Sequence, residues 1–404
     1  MRIGFFVPTY WARPTTEKHQ RGDLIFDHPT PIDAPGTLSR ILESFTRLHD
    51  QKWTLIIGIA TTTETITEAA YRRVHESIAK LPATLRERVS VTGEKEVRWL
   101  QERLKDKKVL VNESLVTFKG YPGIRNLGLL AGVAAGIEVL TMVDDDQVFE
   151  DLDFVTRIRE TADTSLDGKK IEAWSGYCPE TTGFLRVRPF ESWMKHWDKI
   201  GAQNEAYQAL IGVAEPRWKF TPLAFGGCFL VKRNVFMRLP FDPHVGRGED
   251  MDYLMNARMF GIVFYLDNRL SMLHLPPPRA HSQWQRMRED MTRYLYQREK
   301  IRRQKSIPGM ITLRQDDLLP YPGLFLGEDL DDRIIKSNTD LAKFYHRQKD
   351  PLGEQEALRN IEIAERSKYP DDPFEALVKL QKNWEDICRV VDSEKKLWGT
   401  QLLK

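Results

Sequence analysis

Three consecutive carboxylates, Asp144, Asp145 and Asp146, close an apolar run from Glu138 to Val143. The run reads as a buried strand bounded by a charged turn. Adjacent carboxylates repel one another, and a chain that sets three of them at the edge of a core usually supplies a cation. Hard oxygen ligands such as Asp144 and Asp146 suit Mg2+ or Mn2+, which keep coordination positions open for a phosphate. The end of a strand in an open α/β sheet is also where ligands bind. The chemistry this implies is a divalent ion held against a nucleotide diphosphate. The same residues also suit a solvated turn that starts a helix, with Asp145 or Asp146 as N-cap and Glu150 and Asp151 in the first turn. The tripeptide alone leaves these two readings even.

Three further features follow along the chain. Gly226 and Gly227 stand at the start of a strand, where paired glycines either let a backbone approach a ligand or mark a β-bulge. Gly246-Arg247-Gly248 leads into Glu249-Asp250-Met251-Asp252, which puts carboxylates at the positive end of a helix dipole. Capping alone would also explain them. His274 ends an apolar stretch before Pro276-Pro277-Pro278, and a lone histidine is more often a structural hydrogen-bonder than a ligand.

The elements that must position these groups alternate in type. Ile3–Val7 reads as a first strand ending at Pro8-Thr9-Tyr10, and Trp11–Pro35 as a long polar flap that orders on binding. Thr37–His49 has helical spacing, and Trp53–Ala60 is apolar enough for a strand covered on both faces. A helix from Thr63, a short strand at Val89–Val91, a helix over Glu94–Lys107 and a small-residue helix over Gly123–Ala135 lead to the acidic strand. This alternation predicts a parallel sheet with crossover helices. The second half is less regular. Its expected strands are Ile171–Tyr177, the run around Phe225–Val231 and Ile262–Leu266, and its helices include Asp250–Phe260. Leu313–Asp332 reads as a linker, and Ile334–Leu403 as two or three amphipathic helices.

Composition describes an ordinary soluble globular chain, with 404 residues, a formal charge of +2 and 41% apolar residues. The balanced charge argues against a dedicated nucleic-acid binder. Cys178, Cys228 and Cys388 lack any CxxC spacing, so neither a disulfide framework nor a zinc site is expected, and a reducing cytoplasm suits them. The N-terminal run is too short for a signal peptide, and Leu127–Ile137 is too short to span a bilayer.

Together the motifs resemble the GT-A class of nucleotide-sugar glycosyltransferases, most closely its large family 2, over about residues 1 to 280. Asp144-Asp145-Asp146 matches the family's Asp-x-Asp motif, and Phe225-Gly226-Gly227 its glycine-rich loop. Gly248-Glu249-Asp250 matches its acidic motif, Arg125-Asn126-Leu127-Gly128 its Arg-Asn-x-Gly helix, and His274 its metal-binding histidine. Pro8-Thr9-Tyr10 resembles its first strand end. The resemblance implies a Rossmann-like, mostly parallel α/β sheet with flanking helices over residues 1–280 and a helical extension over 281–404. It implies Mn2+ or Mg2+ on Asp144, Asp146 and His274, with a UDP- or GDP-linked donor at Pro8, Thr9, Tyr10, Arg125, Asp144, Asp145, Gly226 and Gly227. It further implies inverting transfer to an acceptor hydroxyl, with Asp250 as base beside Glu249. The acceptor class stays open among saccharides, small molecules and lipid-linked compounds. One departure stands out: the family's base-recognising aspartate after the second strand is missing from Ala60-Thr61-Thr62-Thr63, and Glu64 is the nearest carboxylate.

Two other functions compete. A sugar-1-phosphate nucleotidyltransferase would carry a glycine-rich phosphate loop after the first strand, where this chain has Pro8-Thr9-Tyr10-Trp11. A non-catalytic nucleotide-sugar or carbohydrate binder would have no need of a base at Asp250. The basic helix over His281–Lys305 carries Arg286, Arg288, Arg293, Arg298, Lys300, Arg302, Arg303 and Lys305. It suits contact with anionic lipid headgroups through residues 284–305, or, more plainly, packing on the main domain with a solvated cationic face.

Overall fold

The structure, a computed structural model, describes residues 1–20, 22–109, 114–187, 191–277, 281–367, 369 and 372–402. Pro278 and Leu403 lie outside them. The main strands are β1 (Ile3–Ala12), β2 (Trp53–Thr61), β3 (Val89–Thr92), β4 (Val139–Met142), β5 (Ala173–Tyr177), β6 (Trp218–Phe220), β7 (Phe229–Lys232) and β8 (Phe264–Ser271). With Thr30–Pro31, which pairs with the end of β1, they form a nine-stranded sheet in the order β6-β8-β5-β7-β4-β1-β2-β3. The β4-β1-β2-β3 half is parallel. β7 enters antiparallel between β4 and β5, and β6 is antiparallel on β8. The sheet is therefore mostly parallel, with helices on both faces.

Period-two alternation along β1 sorts its side chains between those faces. Ile3, Phe5 and Val7 join one core with α1 (Leu38–Thr46), α2 (Thr67–Ala79) and α5 (Phe154–Asp163). Phe6 joins the other with α3 (Glu94–Asp106) and α4 (Tyr121–Ala134). The small residues of α4 bring it close to the sheet: a Cβ on Gly128 would come within 2.5 Å of the Phe6 ring.

β1 runs five residues past the expected end at Val7, to Ala12. Pro8 tolerates this because even-numbered β1 residues aim their backbone groups at β4: Phe6 O accepts from Val143 N. The β4 partner stops at Met142 opposite Phe6, so the N–H that proline lacks would have had no ladder partner there. The following segment is seated on the domain by its own contacts rather than left as a bare flap. Arg13 pairs with Asp23 at 2.9 Å, and the Phe26 ring packs on Tyr10 and Tyr121 at 4.7 and 5.7 Å.

The second half is completed by α6 (Lys199–Leu210), α7 (Glu249–Met259), α8 (Gln283–Arg302), α9 (Leu330–Arg347), α10 (Pro351–Arg366), α11 (Pro373–Ser393) and α12 (Lys395–Leu402). Met291 and Tyr294 of α8, Trp384 of α11 and Trp398 of α12 share the core that holds Phe6. The expected linker over Leu313–Asp332 is instead packed structure, with Leu318, Tyr321, Phe325 and Leu330 buried. The basic helix packs on the main domain. Arg293, Arg298 and Lys300 are buried, and the cations from Arg288 to Lys305 meet carboxylates: Glu356, Asp290, Asp331, Asp242 with Asp252, Glu328, Glu299 and Glu375 in turn. The helix thus packs on the main domain through Met291 and Tyr294 and pairs most of these charges within the chain, while Arg302 and Arg303 stay exposed. Among the described residues no helix is long and apolar enough to cross a membrane.

Candidate active site

A cleft of about 310 Å³ opens at the end of β4. β4 delivers Asp144, Asp145 and Asp146 to its wall; the first turn of α7 delivers Glu249 and Asp250; the turn before β7 delivers Gly226 and Gly227. His274 arrives by a separate route. Leu273–His274 pairs antiparallel with Gln147–Val148, in a small sheet that sets His274 opposite Gln147. The His274 Nε2 atom is thereby 3.3 Å from Asp146 Oδ2. The other oxygen, Asp146 Oδ1, is buried and has no hydrogen-bond partner. A buried carboxylate oxygen without a donor is costly and marks a place for a cation or an ordered ligand.

Arg125 is the hub of the site. Its Nε donates to Glu249 Oε1 at 2.7 Å, one terminal nitrogen to Gly226 O at 3.0 Å and the other to Asp144 Oδ1 at 3.3 Å. One rigid guanidinium fork thus ties the acidic turn, the glycine pair and the acidic helix together. It is buried, makes these contacts and also lines the cleft. Burial pushes the proton affinity of Glu249 up; Arg125 opposes this and Asp250 adds to it. For Asp144 burial again raises the pKa, Arg125 lowers it and Asp146 raises it. Asp145 is pushed up to about 8 by burial and by Asp146, partly offset by Thr9, whose hydroxyl donates to Asp145 Oδ2 at 2.7 Å. His274 is raised too: burial opposes its protonation, but the contact with Asp146 and the Asp144 charge outweigh burial.

Each expected site residue can now be placed. Asp144, Asp145, Asp146, Glu249, Asp250, Gly226, Gly227, Arg125, Tyr10 and His274 all line the cleft. Pro8 and Thr9 do not: both are buried in β1, and Thr9 serves Asp145. Glu64 does not either; it is an exposed partner of Arg98 at 3.1 Å. The glycine pair admits the protein's own side chains. A Cβ on Gly227 would stand 2.2 Å from Gln147 Nε2 and 2.8 Å from Asp144 Oδ2, and one on Gly226 2.7 Å from an Arg125 nitrogen. Gly248, at φ +72° before α7, is needed for both conformation and space, since a Cβ would collide with Arg293. Sequence reading missed Asp27, Lys199, Gln203, Tyr207, Arg247, Arg293 and Tyr321, all in the wall. Arg247 belongs to the Gly246-Arg247-Gly248 stretch singled out for its glycines, and the others come from the polar segment, α6, α8 and the supposed linker, where no local motif marks them.

Asp27 in the cleft wall pairs with His281 at 3.0 Å and with Arg247 at 3.3 Å. Burial works against the Asp27 charge, but His281 and Arg247 hold its carboxyl well below the usual range. The hydrogen bond to Asp27 raises His281, against its burial. The depressed Asp27 contributes stability above its unfolded pKa, lost as pH falls toward the folded value. The raised His281 contributes stability below its unfolded pKa, lost as pH rises through the folded value. Both contributions coexist between about pH 4 and 6.5, the two unfolded-state values. Asp27→Asn should therefore lower the melting temperature most within that window, as scanning calorimetry across pH would show. A wild-type-to-variant gap independent of pH would contradict it.

No protein-family model matches the chain, and no curated protein matches it in sequence. Solved structures resemble it distantly. The mannosyltransferase PcManGT from Pyrobaculum calidifontis, in complex with GDP-Man and Mn2+, is 13% identical at a TM-score of 0.45, over 98% of this chain and 87% of that one. A mycobacterial protein is 14% identical at a TM-score of 0.40, over 72% of each chain. GalNAc-T7 with UDP, GalNAc and Mn2+ is 11% identical at 0.39, over 87% of this chain and 58% of that one. Likeness this distant leaves the function to be argued from the cleft itself.

Proposed function

We propose that the chain is a metal-dependent glycosyltransferase that moves a hexose from a UDP- or GDP-linked donor to an acceptor hydroxyl, with inversion. The observation that carries this reading is the buried, unpartnered Asp146 Oδ1 on a carboxylate whose other oxygen faces His274 Nε2 at 3.3 Å. The carboxylate oxygen suits Mn2+ or Mg2+, and the imidazole nitrogen beside it favours the transition ion, Mn2+. Among the described residues no three His, Cys, Asp or Glu side chains converge to hold a metal. Asp146 and His274 would be the residues to hold such an ion. A metal bound there acts as a Lewis acid that neutralises charge on the departing nucleoside diphosphate.

The protein's own residues supply the rest. Asp144, anchored by Arg125, would meet the donor ribose or a water. Asp250 lines the cleft and holds still because each of its oxygens accepts one backbone N–H, from Gly226 at 2.9 Å and Met251 at 2.8 Å. Each oxygen keeps a second lone pair. Asp250 takes the proton of the acceptor hydroxyl as that oxygen bonds to the anomeric carbon and the bond to the donor phosphate breaks. Glu249 acts through Arg125 as a positioning residue.

The test is a thermal-shift screen of UDP-, GDP- and dTDP-sugars with and without Mn2+. A ligand that binds only the native state at about 100 times its Kd stabilises it by about 2.7 kcal/mol. One donor should raise the melting temperature with Mn2+ present, and the rise should vanish with chelator and in Asp146→Ala. Nucleotide stabilisation indifferent to chelator would sink the metal-bridged reading.

A further inference from the structure

Strand order sets the direction in which a donor must lie. β7 and β1 flank β4 on opposite sides. Asp144, Asp145 and Asp146 follow β4. Gly226 and Gly227 precede β7, which begins with Phe229 opposite Met142 at the end of β4, and the Gly226 N–H donates to Asp250. The base is therefore on the β7 side of the acidic turn. A diphosphate joins the transferred sugar at one end to the nucleoside at the other. With the diphosphate at Asp146 and the sugar beside Asp250, the nucleoside extends toward the ends of β1 and β2.

The segment after β1 covers those ends. Leu24 N–H donates to Thr62 O at 2.8 Å, just past β2, and Phe26 packs on Tyr10 near the end of β1. Asp27 follows. Its N–H donates to the Tyr121 hydroxyl at 2.6 Å, and its side chain, 31% exposed, lines the cleft with Tyr10 and Tyr121. His281 and Arg247 each hold one of its oxygens, and each oxygen keeps a further lone pair. Among the described residues of the cleft wall, the other carboxylates belong to the turn after β4, to the stretch after β5, to α7 and to α8. Asp27 is the one supplied by the chain between β1 and β2.

We infer that Asp27 reads the nucleobase of the donor and selects guanine. The inference rests on the transferase reading above and names the donor within it. A carboxylate presents two acceptors side by side and no donor. Guanine presents two donors side by side, its ring N1–H and its 2-amino group, so the two form a pair of charge-assisted hydrogen bonds. Uracil and thymine set one N3–H between two carbonyl oxygens, which leaves the second carboxylate oxygen facing an acceptor. Adenine also offers one donor beside an acceptor. The rings of Tyr10 and Tyr121 give the same part of the wall an aromatic surface on which a base can stack.

The experiment is calorimetric titration of the full chain with GDP, inosine diphosphate, UDP and ADP in the presence of Mn2+, well above the pH window in which Asp27 and His281 reinforce one another. GDP should bind tightest. Inosine diphosphate, which lacks only the 2-amino group of guanine, should bind about tenfold to a hundredfold more weakly, the worth of one hydrogen bond to a charged group. That comparison needs no variant, so it stands even where a substitution does not fold. Asp27→Asn should weaken GDP by about tenfold or more and leave UDP unchanged or tighter, because an amide offers uracil one acceptor and one donor. Inosine diphosphate equal to GDP, UDP or ADP tighter than GDP, or an Asp27→Asn loss shared equally by GDP and UDP overturns the base assignment and leaves the transferase reading standing. Failure of every nucleotide to bind with Mn2+ overturns the transferase reading, and this inference with it.

Discussion

Asp250→Asn is expected to reduce sugar transfer by about a thousandfold, within the range that a positioned general base contributes, while leaving nucleotide-diphosphate binding near normal. The substitution removes the charge and proton affinity of one carboxylate oxygen and little else in volume. It is not silent structurally. Gly226 N–H and Met251 N–H each point at a different Asp250 oxygen, so an amide leaves one of them facing a donor. A half-buried loss of that kind costs about 1 kcal/mol. Transfer, nucleotide affinity and unfolding should therefore be measured together. Transfer lost with the other two preserved identifies a base. Parallel loss of nucleotide affinity would make Asp250 a structural anchor of the glycine turn and remove it from the chemistry.

Lys300→Met should destabilise the fold by about 3–5 kcal/mol, the cost of leaving buried charge without its partner. Lys300 is 0% exposed and its ammonium reaches Asp242 Oδ2, both oxygens of Asp252 and Asn256 Oδ1, each at 3.0 Å. Asp252 lies two residues after Asp250 on α7, so this contact from α8 also fixes the helix that presents the base. Burial holds Asp252 above the usual carboxylate range even with Lys300 beside it, and Asp242 adds to the rise. Without the cation the two carboxylates confront each other in the core. Urea unfolding would measure the loss, and adding Asp252→Asn to Lys300→Met should recover part of it. A loss under about 1 kcal/mol would mean that water or a neighbouring cation replaces Lys300, as at an exposed pair.

Much of the site was legible because its chemistry is local. Three aspartates at a strand end, a glycine pair and carboxylates at a helix start each follow from spacing within a few residues. The parallel half of the sheet was legible too, since Trp53–Thr61 and Val139–Met142 are mostly apolar, as strands covered on both faces tend to be. Other parts escaped because their meaning depends on partners far along the chain. The cations from Arg288 to Lys305 looked like a surface, yet their carboxylate partners lie as far off as Glu356 and Glu375. Leu313–Asp332 looked like a linker because Pro, Gly and Asp dominate it. Leu313, Leu318, Tyr321, Phe325, Leu326 and Leu330 nevertheless pack, while Leu319 and Leu324 stay exposed, and Tyr321 reaches the cleft.

What the residues determined alone was the inventory: which groups can ligate, take a proton or close a strand, and the order in which they come. Such properties belong to side-chain type and short-range period. Only tertiary packing decided which groups meet. It set His274 on Asp146 through a two-residue strand pairing, and it joined Arg125 to Glu249, Gly226 and Asp144. The physical reason is that contact energy depends on separation in space, and between residues more than a hundred positions apart only the completed fold sets that separation.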